Sequence, residues 1–380
     1  MHYEVISADC HIDLCWLPPD LFTSSAPAHL QDRMPYVTNG PDGPYWTTRS
    51  GANLGLQNGM GSAGRKYVPG AIYRSDRMAA TGLYEDGKKG IRRISDPELR
   101  LQDQERDGVQ AEVLYGILGT ARRLNDPEAA IEVYRIYNTW LADFCKTHPD
   151  RYAGLACIPN TDIAAAVAEI TRSAKMGLRG AELAVSSEIT PLWHPYWESL
   201  WAAAAACRMP VSFHTLGTGR PLPENLDPQT RRAASAAFMT NFQLATADYL
   251  AAVLFSGALE RHPHLKLVLG ESGIGWIPYL LERMDYEWED QFKDLSLTMK
   301  PSEYWHRQMY ATYQQDYVGI KLLAELGEDN IMWGSDFPHP DGVWPDSQTF
   351  IEEQLGHVPP AIRRKIVCEN AAKLYGFTME

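Results

Sequence analysis

The sequence lacks the features that would place the chain in a membrane, outside the cell or on a nucleic acid. None of its apolar runs approaches the roughly 20 residues that a membrane-spanning helix needs, and its first residues do not form the apolar segment of a signal peptide. Positive charge is scarce, because 35 Lys and Arg stand against 48 Asp and Glu, which gives a net charge of −13. A nucleic-acid backbone requires a basic surface. We therefore expect a soluble cytoplasmic protein that binds neither nucleic acid nor membranes.

Cysteine is used sparingly, and the positions of the six cysteines exclude two of its common roles. They are scattered along the chain with no Cys-x-x-Cys pair. Disulfide frameworks and structural zinc sites need cysteines at closely matched spacings. We therefore interpret these residues as reduced and mostly buried thiols.

Aromatic residues, by contrast, are plentiful, with 11 Trp and 19 Tyr. They indicate broad aromatic packing, a bulky apolar substrate pocket, or both. A hydrophobic content of 45% and a charged content of 22% are ordinary for a globular protein. At 380 residues the chain could form one large domain with insertions or two smaller domains.

Eight short β-rich runs alternate with longer helical segments along the chain. The β-rich runs are residues 4–9, 112–116, 153–158, 179–184, 210–214, 265–270, 308–313 and 330–335. The helical segments include residues 126–148, 163–176, 195–207, 240–261, 276–286, 319–326 and 360–375. Alternating β and α units predict a parallel sheet, and eight of them indicate an α/β protein with a TIM (β/α)8 barrel. We expect one barrel domain over residues 1–380, since such barrels need only about 250 residues and leave room for insertions.

The largest predicted insertion lies between the first and second strands, at residues 31–95. It is rich in Gly, Pro, Tyr and Trp and shows no sustained periodicity. Loops of this length inside a compact domain are usually functional or disordered. The aromatic content favours an ordered cap over the barrel mouth, joined by residues 217–232 after the fifth strand.

Three side chains of metal-ligand type end the first predicted strand. Asp9, His11 and Asp13 occupy alternate positions, so an extended strand would point all three in one direction. Unpaired buried carboxylates are costly, and a metal ion would remove that cost. The first strand therefore predicts a metal site.

Four more predicted strands end in similar side chains. These are Glu182 on the fourth strand, His214 on the fifth, Glu271 on the sixth and Asp336 on the eighth, with His339 just beyond it. The active site of a TIM barrel lies at the carboxyl ends of its strands. We therefore expect all of these residues at one rim of the barrel.

The motifs around these residues resemble the amidohydrolase superfamily. The resemblance is specifically to the branch that includes aminocarboxymuconate semialdehyde decarboxylase and related aromatic-acid decarboxylases, and it spans nearly the whole chain. The motifs are Asp9-Cys-His11, Ser212-Phe-His214, Leu269-Gly-Glu271-Ser-Gly-Ile-Gly-Trp276-Ile-Pro and Gly334-Ser-Asp336-Phe-Pro-His339. The resemblance implies a distorted TIM barrel of the amidohydrolase type with a long cap insertion after the first strand. It also implies a primary metal held by Asp9, His11, His214 and Asp336.

The chain departs from that pattern in ways that bear on the metal. The decarboxylases usually have a catalytic His at the end of the sixth strand, where this sequence has Glu271. Binuclear amidohydrolases use a bridging carboxylate on the fourth strand, and Glu182 could take that place. The full predicted ligand set is then Asp9, His11, Asp13, Glu182, His214, Glu271 and Asp336. Such a carboxylate-rich set suits iron or manganese better than zinc, and two His with about four carboxylates is typical of di-iron sites.

These assignments leave simpler alternatives open. Asp9 could orient His11 instead of binding metal, and Asp13 could belong to the loop beyond the strand. Glu182 could pair with Arg179. His339 is a candidate for substrate contact or for catalysis.

The ligand census favours a non-heme di-iron monooxygenase that hydroxylates a bulky apolar substrate, either CoA-linked or carboxylate-bearing. In this respect the chain resembles the di-iron monooxygenase of platensimycin-type biosynthesis, which has an amidohydrolase fold. The resemblance does not extend to a residue-by-residue alignment. The cofactor would be two Fe ions, with Mn or Zn as alternatives. The alternative functions are metal-dependent hydrolysis and non-oxidative decarboxylation of a carboxylic acid. Glu271, Asp336 and His339 are the predicted catalytic residues, the partner is a small-molecule substrate, and a homodimer is the default assembly.

Overall fold

Eight parallel strands wind around a barrel in chain order in the computed structural model, which describes residues 1–215, 223 and 225–379. The strands are Ile6–His11 (β1), Ala111–Tyr115 (β2), Tyr152–Ile158 (β3), Gly180–Val185 (β4), Val211–Thr215 (β5), Leu267–Leu269 (β6), Met309–Tyr313 (β7) and Ile331–Trp333 (β8). Each strand pairs in parallel with the next one along the chain. All eight overlap the predicted runs, so the α/β barrel is confirmed.

The barrel closes between β1 and the residues that follow β8. The backbone N–H of His11 donates to the carbonyl of Phe337 at 2.7 Å, and that of Asp336 donates to the carbonyl of Asp9 at 2.8 Å. Gly334 makes this approach possible, since a Cβ atom there would lie 2.5 Å from the Cβ of Asp9. These backbone hydrogen bonds form the closing seam of the barrel, which brings the predicted metal ligands Asp9 and Asp336 together. The seam lies at the carboxyl end of the strands, as expected for a distorted barrel.

Helices cover the outside of the barrel and form part of the cap. They are Leu21–Ser25 (α1), Tyr73–Ala80 (α2), Leu83–Lys88 (α3), Pro97–Asp107 (α4), Leu118–Leu124 (α5), Pro127–Thr147 (α6), Ile163–Met176 (α7), Glu198–Cys207 (α8), Pro228–Asn241 (α9), Thr246–Phe255 (α10), Ala258–Arg261 (α11), Ile277–Asp290 (α12), Pro301–Gln308 (α13), Tyr317–Lys321 (α14), Leu323–Leu326 (α15), Ser347–Leu355 (α16), Pro360–Arg364 (α17) and Asn370–Tyr375 (α18). Short 3-10 helices lie at Leu14–Trp16, Gln31–Arg33, Pro195–Trp197 and Gln243–Ala245, and a π-helical turn lies at Lys365–Glu369. Across the described residues, each helix is too short or too polar to traverse a lipid bilayer.

Local sequence explains where several helices begin and end. Asp96, Asp126 and Asp162 precede α4, α6 and α7, and each accepts hydrogen bonds from backbone N–H groups of the first turn. These N-caps satisfy donors that have no partner inside the helix. The predicted helix at residues 240–261 is instead broken in two places. Gly257, with φ of 74°, starts α11 in a left-handed conformation that favours glycine.

The predicted cap is an ordered structure with its own small sheet. Three antiparallel strands, Tyr36–Gly40, Gly43–Thr47 and Gly55–Leu56, precede α2 and α3. A hydrogen bond of 2.7 Å from the Asn58 N–H to the Cys15 carbonyl fastens the cap to the barrel. The second predicted cap segment was residues 217–232, of which residues 217–222 and 224 lie outside the described part of the chain. Helix α9 follows, and the sequence analysis predicted no helix over most of its length.

Arg100 of α4 supports the end of β1. Its Nε donates to Glu112 Oε2 on β2 at 2.7 Å, and its Nη1 donates to the carbonyl of His11 at 3.0 Å. Both charged side chains are buried. This ion pair therefore fixes the backbone of a predicted metal ligand from within the protein.

Candidate metal centre

The structure brings all the predicted site residues to the carboxyl end of the barrel. A cavity of about 420 Å³ opens there, and its wall includes His11, Asp13, Glu182, His214, Glu271 and His339. Asp9 and Asp336 lie just beside them and are completely buried. Side-chain alternation in strands and the common polarity of parallel strands explain this convergence.

Four of these residues form a tight group, the rim cluster, which consists of Asp9, His11, Asp336 and His339. His11 Nε2 lies 3.2 Å from Asp9 Oδ1 and 3.2 Å from Asp336 Oδ1. None of these contacts has hydrogen-bond geometry, so Asp9 Oδ1, His11 Nε2 and both Asp336 carboxylate oxygens have no hydrogen-bond partner among the described residues. Donors that share one metal ion at about 2.1 Å lie roughly 3.0–3.4 Å from one another. The rim cluster therefore fits a metal ion better than it fits a set of internal hydrogen bonds.

The electrostatics of the rim cluster favour a positive charge at the same place. Burial and the nearby His339 lower the pKa of His11, but the carboxylates of Asp336 and Asp9 outweigh them and raise it to about 9. For Asp336, burial opposes ionisation, while His339 and His11 hold its pKa well below the usual range. A divalent cation would satisfy these carboxylates without a proton.

His214 and Glu271 extend the donor set on the neighbouring strands. His214 Nε2 lies 3.5 Å from Glu271 Oε2, and the His214 ring centroid lies 5.3 Å from that of His11. Burial and the proximity of His11 lower the pKa of His214 to about 4, so its imidazole is neutral, the form that binds metals. Donor atoms of His11, Glu271, Asp336 and His339 all lie within 4.8 Å of one another. The geometry therefore allows Glu271 and His339 as ligands beside the four that the resemblance implies.

The backbone is strained at two acidic residues of the site. Glu271 has φ of 48° and Asp336 has φ of 56°, both in the left-handed region. Such conformations cost about 1–3 kcal/mol for non-glycine residues and concentrate at functional sites. Each one turns the chain sharply just after a barrel strand, which aims the carboxylate toward the rim.

Thr312 is a site residue that the sequence analysis missed. Its hydroxyl donates to Asp9 Oδ2 at 2.7 Å and accepts a hydrogen bond of 2.7 Å from the backbone N–H of Glu271. The Glu271 N–H also lies 3.0 Å from Asp9 Oδ2. These contacts hold one oxygen of Asp9 and leave the other facing His11. The only available signal was a polar residue near the end of β7, one of the three predicted strands to which no role was given.

Asp13 orients His339. Asp13 Oδ2 lies 2.9 Å from His339 Nε2, and His339 Nδ1 lies 3.1 Å from Asp336 Oδ1. The His339 ring stacks on that of His11 with centroids 3.9 Å apart. Burial lowers the pKa of His339, but Asp336 and Asp13 raise it well above its usual range. Asp13 follows β1 directly, and its role as a metal ligand stays a prediction.

Glu182 lies on the cavity wall opposite the closing seam, with one oxygen already engaged. Its Oε1 accepts hydrogen bonds from the Gly116 N–H at 2.6 Å and from the Cys157 thiol at 3.1 Å. It does not pair with Arg179, which donates to the carbonyls of Pro149 and Tyr375. Its role as a bridging ligand stays a prediction.

Positive side chains on the cavity wall are a second feature of the site. Arg65 of the cap and Arg122 and Arg123 of α5 line the cavity. Arg123 donates to the carbonyls of Leu54 at 3.0 Å and Gly119 at 3.2 Å, and also to that of Ser62 at 3.0 Å. Among the described residues no carboxylate forms an ion pair with it, so its charge remains available to the cavity.

The curated relatives of this chain include decarboxylases. It is 27% identical to gamma-resorcylate decarboxylase of Rhodococcus jostii (strain RHA1) over 303 residues, which cover 74% of this chain and 87% of the relative. It is 23% identical to 2-amino-3-carboxymuconate-6-semialdehyde decarboxylase of Dictyostelium discoideum over 289 residues, 74% of this chain and 77% of the relative. The similarity to the aminocarboxymuconate semialdehyde decarboxylase branch is therefore confirmed.

Solved structures show the same fold. An amidohydrolase of Mycobacterium avium subsp. paratuberculosis K-10 superposes with a TM-score of 0.73 at 19% identity, over 99% of this chain and 100% of that one. A dihydroxybenzoic acid decarboxylase of Polaromonas sp. JS666, with bound manganese and the inhibitor 2-nitroresorcinol, has a TM-score of 0.62 at 22% identity, over 79% of this chain and 92% of that one. Both matches identify the distorted barrel.

The predicted di-iron monooxygenase activity is wrong, because the curated relatives are decarboxylases. The prediction counted every carboxylate at the rim as a free ligand. In the structure, Asp13 and Glu182 each use one oxygen in a hydrogen bond within the protein. The sequence analysis therefore counted too many metal ligands to decide between one metal ion and two.

The family model described as amidohydrolase (Amidohydro_2) matches residues 9–377, from the first predicted ligand almost to the end of the chain. This match includes the end of β1, all of β2 to β8, the cap and every residue of the rim cluster. The buried donor set fits a divalent metal ion. The chain therefore belongs to the amidohydrolase family and is a metal-dependent enzyme with the barrel fold of that family.

Proposed function

We propose that this protein catalyses the non-oxidative, metal-dependent decarboxylation of a hydroxylated aromatic acid. The observation that carries the proposal is a group of buried ligand atoms beside a cavity lined by arginines. These atoms are Asp9 Oδ1, His11 Nε2 and both carboxylate oxygens of Asp336, which have no hydrogen-bond partner in the described part of the chain. The decarboxylase relatives, which match over most of their length, support it. The reaction is the decarboxylase alternative that the sequence left open.

The cavity suits an anionic aromatic substrate. Its volume of about 420 Å³ can hold a single-ring acid, and Phe238 and Phe242 contribute apolar surface to its wall. Arg123 is half-buried beside it with no carboxylate partner in the described structure. Its positive charge therefore favours the entry of a carboxylate.

Asp9, His11, His214 and Asp336 would hold one divalent metal ion. Manganese is supported by the Polaromonas structure, and iron and zinc remain compatible with nitrogen and oxygen donors. A bound metal would act as a Lewis acid that fixes the substrate carboxylate and a neighbouring hydroxyl.

Protein side chains must supply one proton to complete the reaction. The bond between the ring carbon and the carboxylate breaks, CO2 leaves, and the electron pair that remains on the ring carbon takes up a proton. Glu271 and His339 are both on the cavity wall and can hold that proton. His339 brings an imidazole to the site from the loop after β8, which offsets the absence of a His at the end of β6.

A product assay tests the proposed reaction. Purified protein loaded with Mn²⁺ is incubated with gamma-resorcylate, and CO2 release, O2 consumption and bound metal are measured. We expect CO2 and resorcinol in equal amounts, no O2 consumption, and loss of activity after chelation that Mn²⁺ restores. Hydrolysis of ester or lactone substrates together with no CO2 from any hydroxybenzoate would contradict the proposal.

A further inference from the structure

The carboxyl group of Glu182 is held in one orientation by two donors. Oε1 accepts from the Gly116 N–H at 2.6 Å and from the Cys157 thiol at 3.1 Å. The close approach requires glycine, since a Cβ on Gly116 would lie 2.4 Å from the Tyr137 ring and 2.8 Å from the Cys157 sulfur. The other oxygen, Oε2, makes no hydrogen bond or ion pair with any described residue, although the side chain is buried and lines the cavity.

Another buried glutamate in the same protein shows what a structural carboxylate looks like here. Glu169 of α7 accepts from Asn138 Nδ2 at 2.7 Å and from Arg172 at 2.7 and 2.9 Å. Both of its oxygens are engaged, and one of its partners is a cation. Glu182 has no cationic partner among the described residues, and its free oxygen is available to the cavity. This contrast with Glu169 indicates that Glu182 binds a molecule in the cavity and does not serve only to stabilise the fold.

Oε2 is the oxygen of Glu182 that can meet a group in the cavity, because Oε1 already accepts two hydrogen bonds. A buried carboxyl oxygen with no partner among the described residues is costly. A hydroxyl group of a bound molecule would satisfy it, since a hydroxyl can both donate and accept a hydrogen bond.

We propose that Glu182 is a specificity-determining residue whose Oε2 forms a hydrogen bond with a second ring hydroxyl of the substrate. This second hydroxyl is distinct from the carboxylate that is lost and from the hydroxyl beside it that a metal would hold. The inference rests on the proposed function, and it narrows the substrate class to aromatic acids with at least two ring oxygens. It assigns Glu182 to the substrate instead of a second metal.

Binding of two inert analogues to the Mn²⁺-loaded protein tests this assignment without turnover. 2-Nitroresorcinol has two ring hydroxyls, and 2-nitrophenol has one. Titration calorimetry gives their Kd values for the wild type, Glu182→Leu and Glu182→Gln. We expect the wild type to bind 2-nitroresorcinol about 10- to 100-fold more tightly than 2-nitrophenol, as the loss of one hydrogen bond at a buried polar group predicts. In Glu182→Leu the two Kd values should differ by less than about threefold.

The glutamine variant tests whether a hydrogen-bonding group at this position is sufficient for discrimination. Its amide oxygen must accept from Gly116 and Cys157, so its NH2 group faces the cavity and can donate to the hydroxyl oxygen. Glu182→Gln should therefore recover most of the discrimination that Glu182→Leu loses. Glu169→Gln is the matched control, and it should lower the thermal midpoint without changing the ratio of the two Kd values.

Several results would overturn the inference. They are an unchanged Kd ratio in Glu182→Leu, equal loss in the Gln and Leu variants, or a fall in bound metal per chain in either variant. A wild type that binds neither analogue would overturn this inference together with the proposed function. A wild type that discriminates between the analogues but releases no CO2 from gamma-resorcylate would reject the proposed reaction alone.

Discussion

Two groups of buried charges in this protein are arranged in opposite ways. In the Arg100 cluster, formed by Arg93, Arg100, Asp103 and Glu112, each carboxylate meets a guanidinium group. In the rim cluster, the free oxygens of Asp9 and Asp336 face His11 without hydrogen-bond geometry. Both groups reach the end of β1, because Arg100 donates to the carbonyl of His11.

The difference separates charges that support the fold from charges that serve the site. A buried ion pair compensates its own desolvation when its partners are well placed. A buried donor set with no internal partner is costly unless something from outside the chain binds to it. The carboxylates of the Arg100 cluster therefore find their counter-charges within the chain, and the rim cluster is completed by a cation.

The largest effect should follow from removing a carboxylate of the rim cluster. We expect Asp336→Asn to lose bound Mn²⁺ and to lower kcat by about 10³-fold or more, because metal catalysis supplies several kcal/mol of transition-state stabilisation. Wild-type protein in Mn²⁺ at about 1,000 times its Kd should gain about 4 kcal/mol of stability, and the variant should not. Metal analysis and thermal unfolding with and without chelator measure both. If Asp336→Asn kept its full complement of Mn²⁺, the rim cluster would not depend on this carboxylate for metal binding. The proposed difference between the rim cluster and the Arg100 cluster would then be wrong.

Breaking the Arg100 cluster should affect stability instead of metal affinity. Arg100→Met leaves Glu112 buried without its cation, which should cost about 3–5 kcal/mol in the free energy of unfolding. Chemical denaturation measures the loss. Arg363→Met is the control, because the Arg363–Glu352 pair is largely exposed and should contribute no more than about 1 kcal/mol. Equal losses in both variants would show that burial is not what distinguishes the pairs.

A smaller effect is expected at Asp107, which is buried with hydrogen bonds but has no cationic partner among the described residues. Its carboxylate accepts from the N–H and hydroxyl of Ser347, yet burial raises its pKa to about 7. The folded protein therefore holds this proton more tightly than the unfolded chain, where the pKa is about 3.9. Stability should fall between about pH 4 and pH 7 and then level off, by at most about 4 kcal/mol.

Asp107→Asn should flatten that part of the pH profile. Urea denaturation of the wild type and the variant at pH 4.5, 5.5, 6.5 and 7.5 makes the comparison. Identical slopes in both proteins would mean that Asp107 is ionised in the folded state and that Ser347 alone compensates a buried charge.

The sequence predicted the barrel strands and the residues at their ends, because both depend on local patterns. Alternating β and α segments and strand ends such as Asp9-Cys-His11 are visible without any tertiary contact. Helix α9 was missed over most of its length, since none of its described side chains is buried and it has no periodic apolar face. The cap strands were missed because they are only two to five residues long.

The chemistry of the site was less accessible from the sequence. Thr312 lies 303 positions from Asp9, and Cys157 lies 25 positions from Glu182. Each of these contacts engages a carboxylate oxygen that the sequence analysis had counted as a free ligand. That overcount led to the incorrect oxygenase prediction.

The sequence by itself determined an α/β barrel with Asp9, His11, His214 and Asp336 at one rim, because periodicity and strand polarity are properties of the chain. Only the tertiary structure decided which oxygens of those side chains are free and which are already bonded. Strand order fixes side-chain positions to within several ångströms, whereas a hydrogen bond is made or lost within less than one. The difference between a metal ligand, an orienting carboxylate and a substrate contact therefore depends on packing between distant segments.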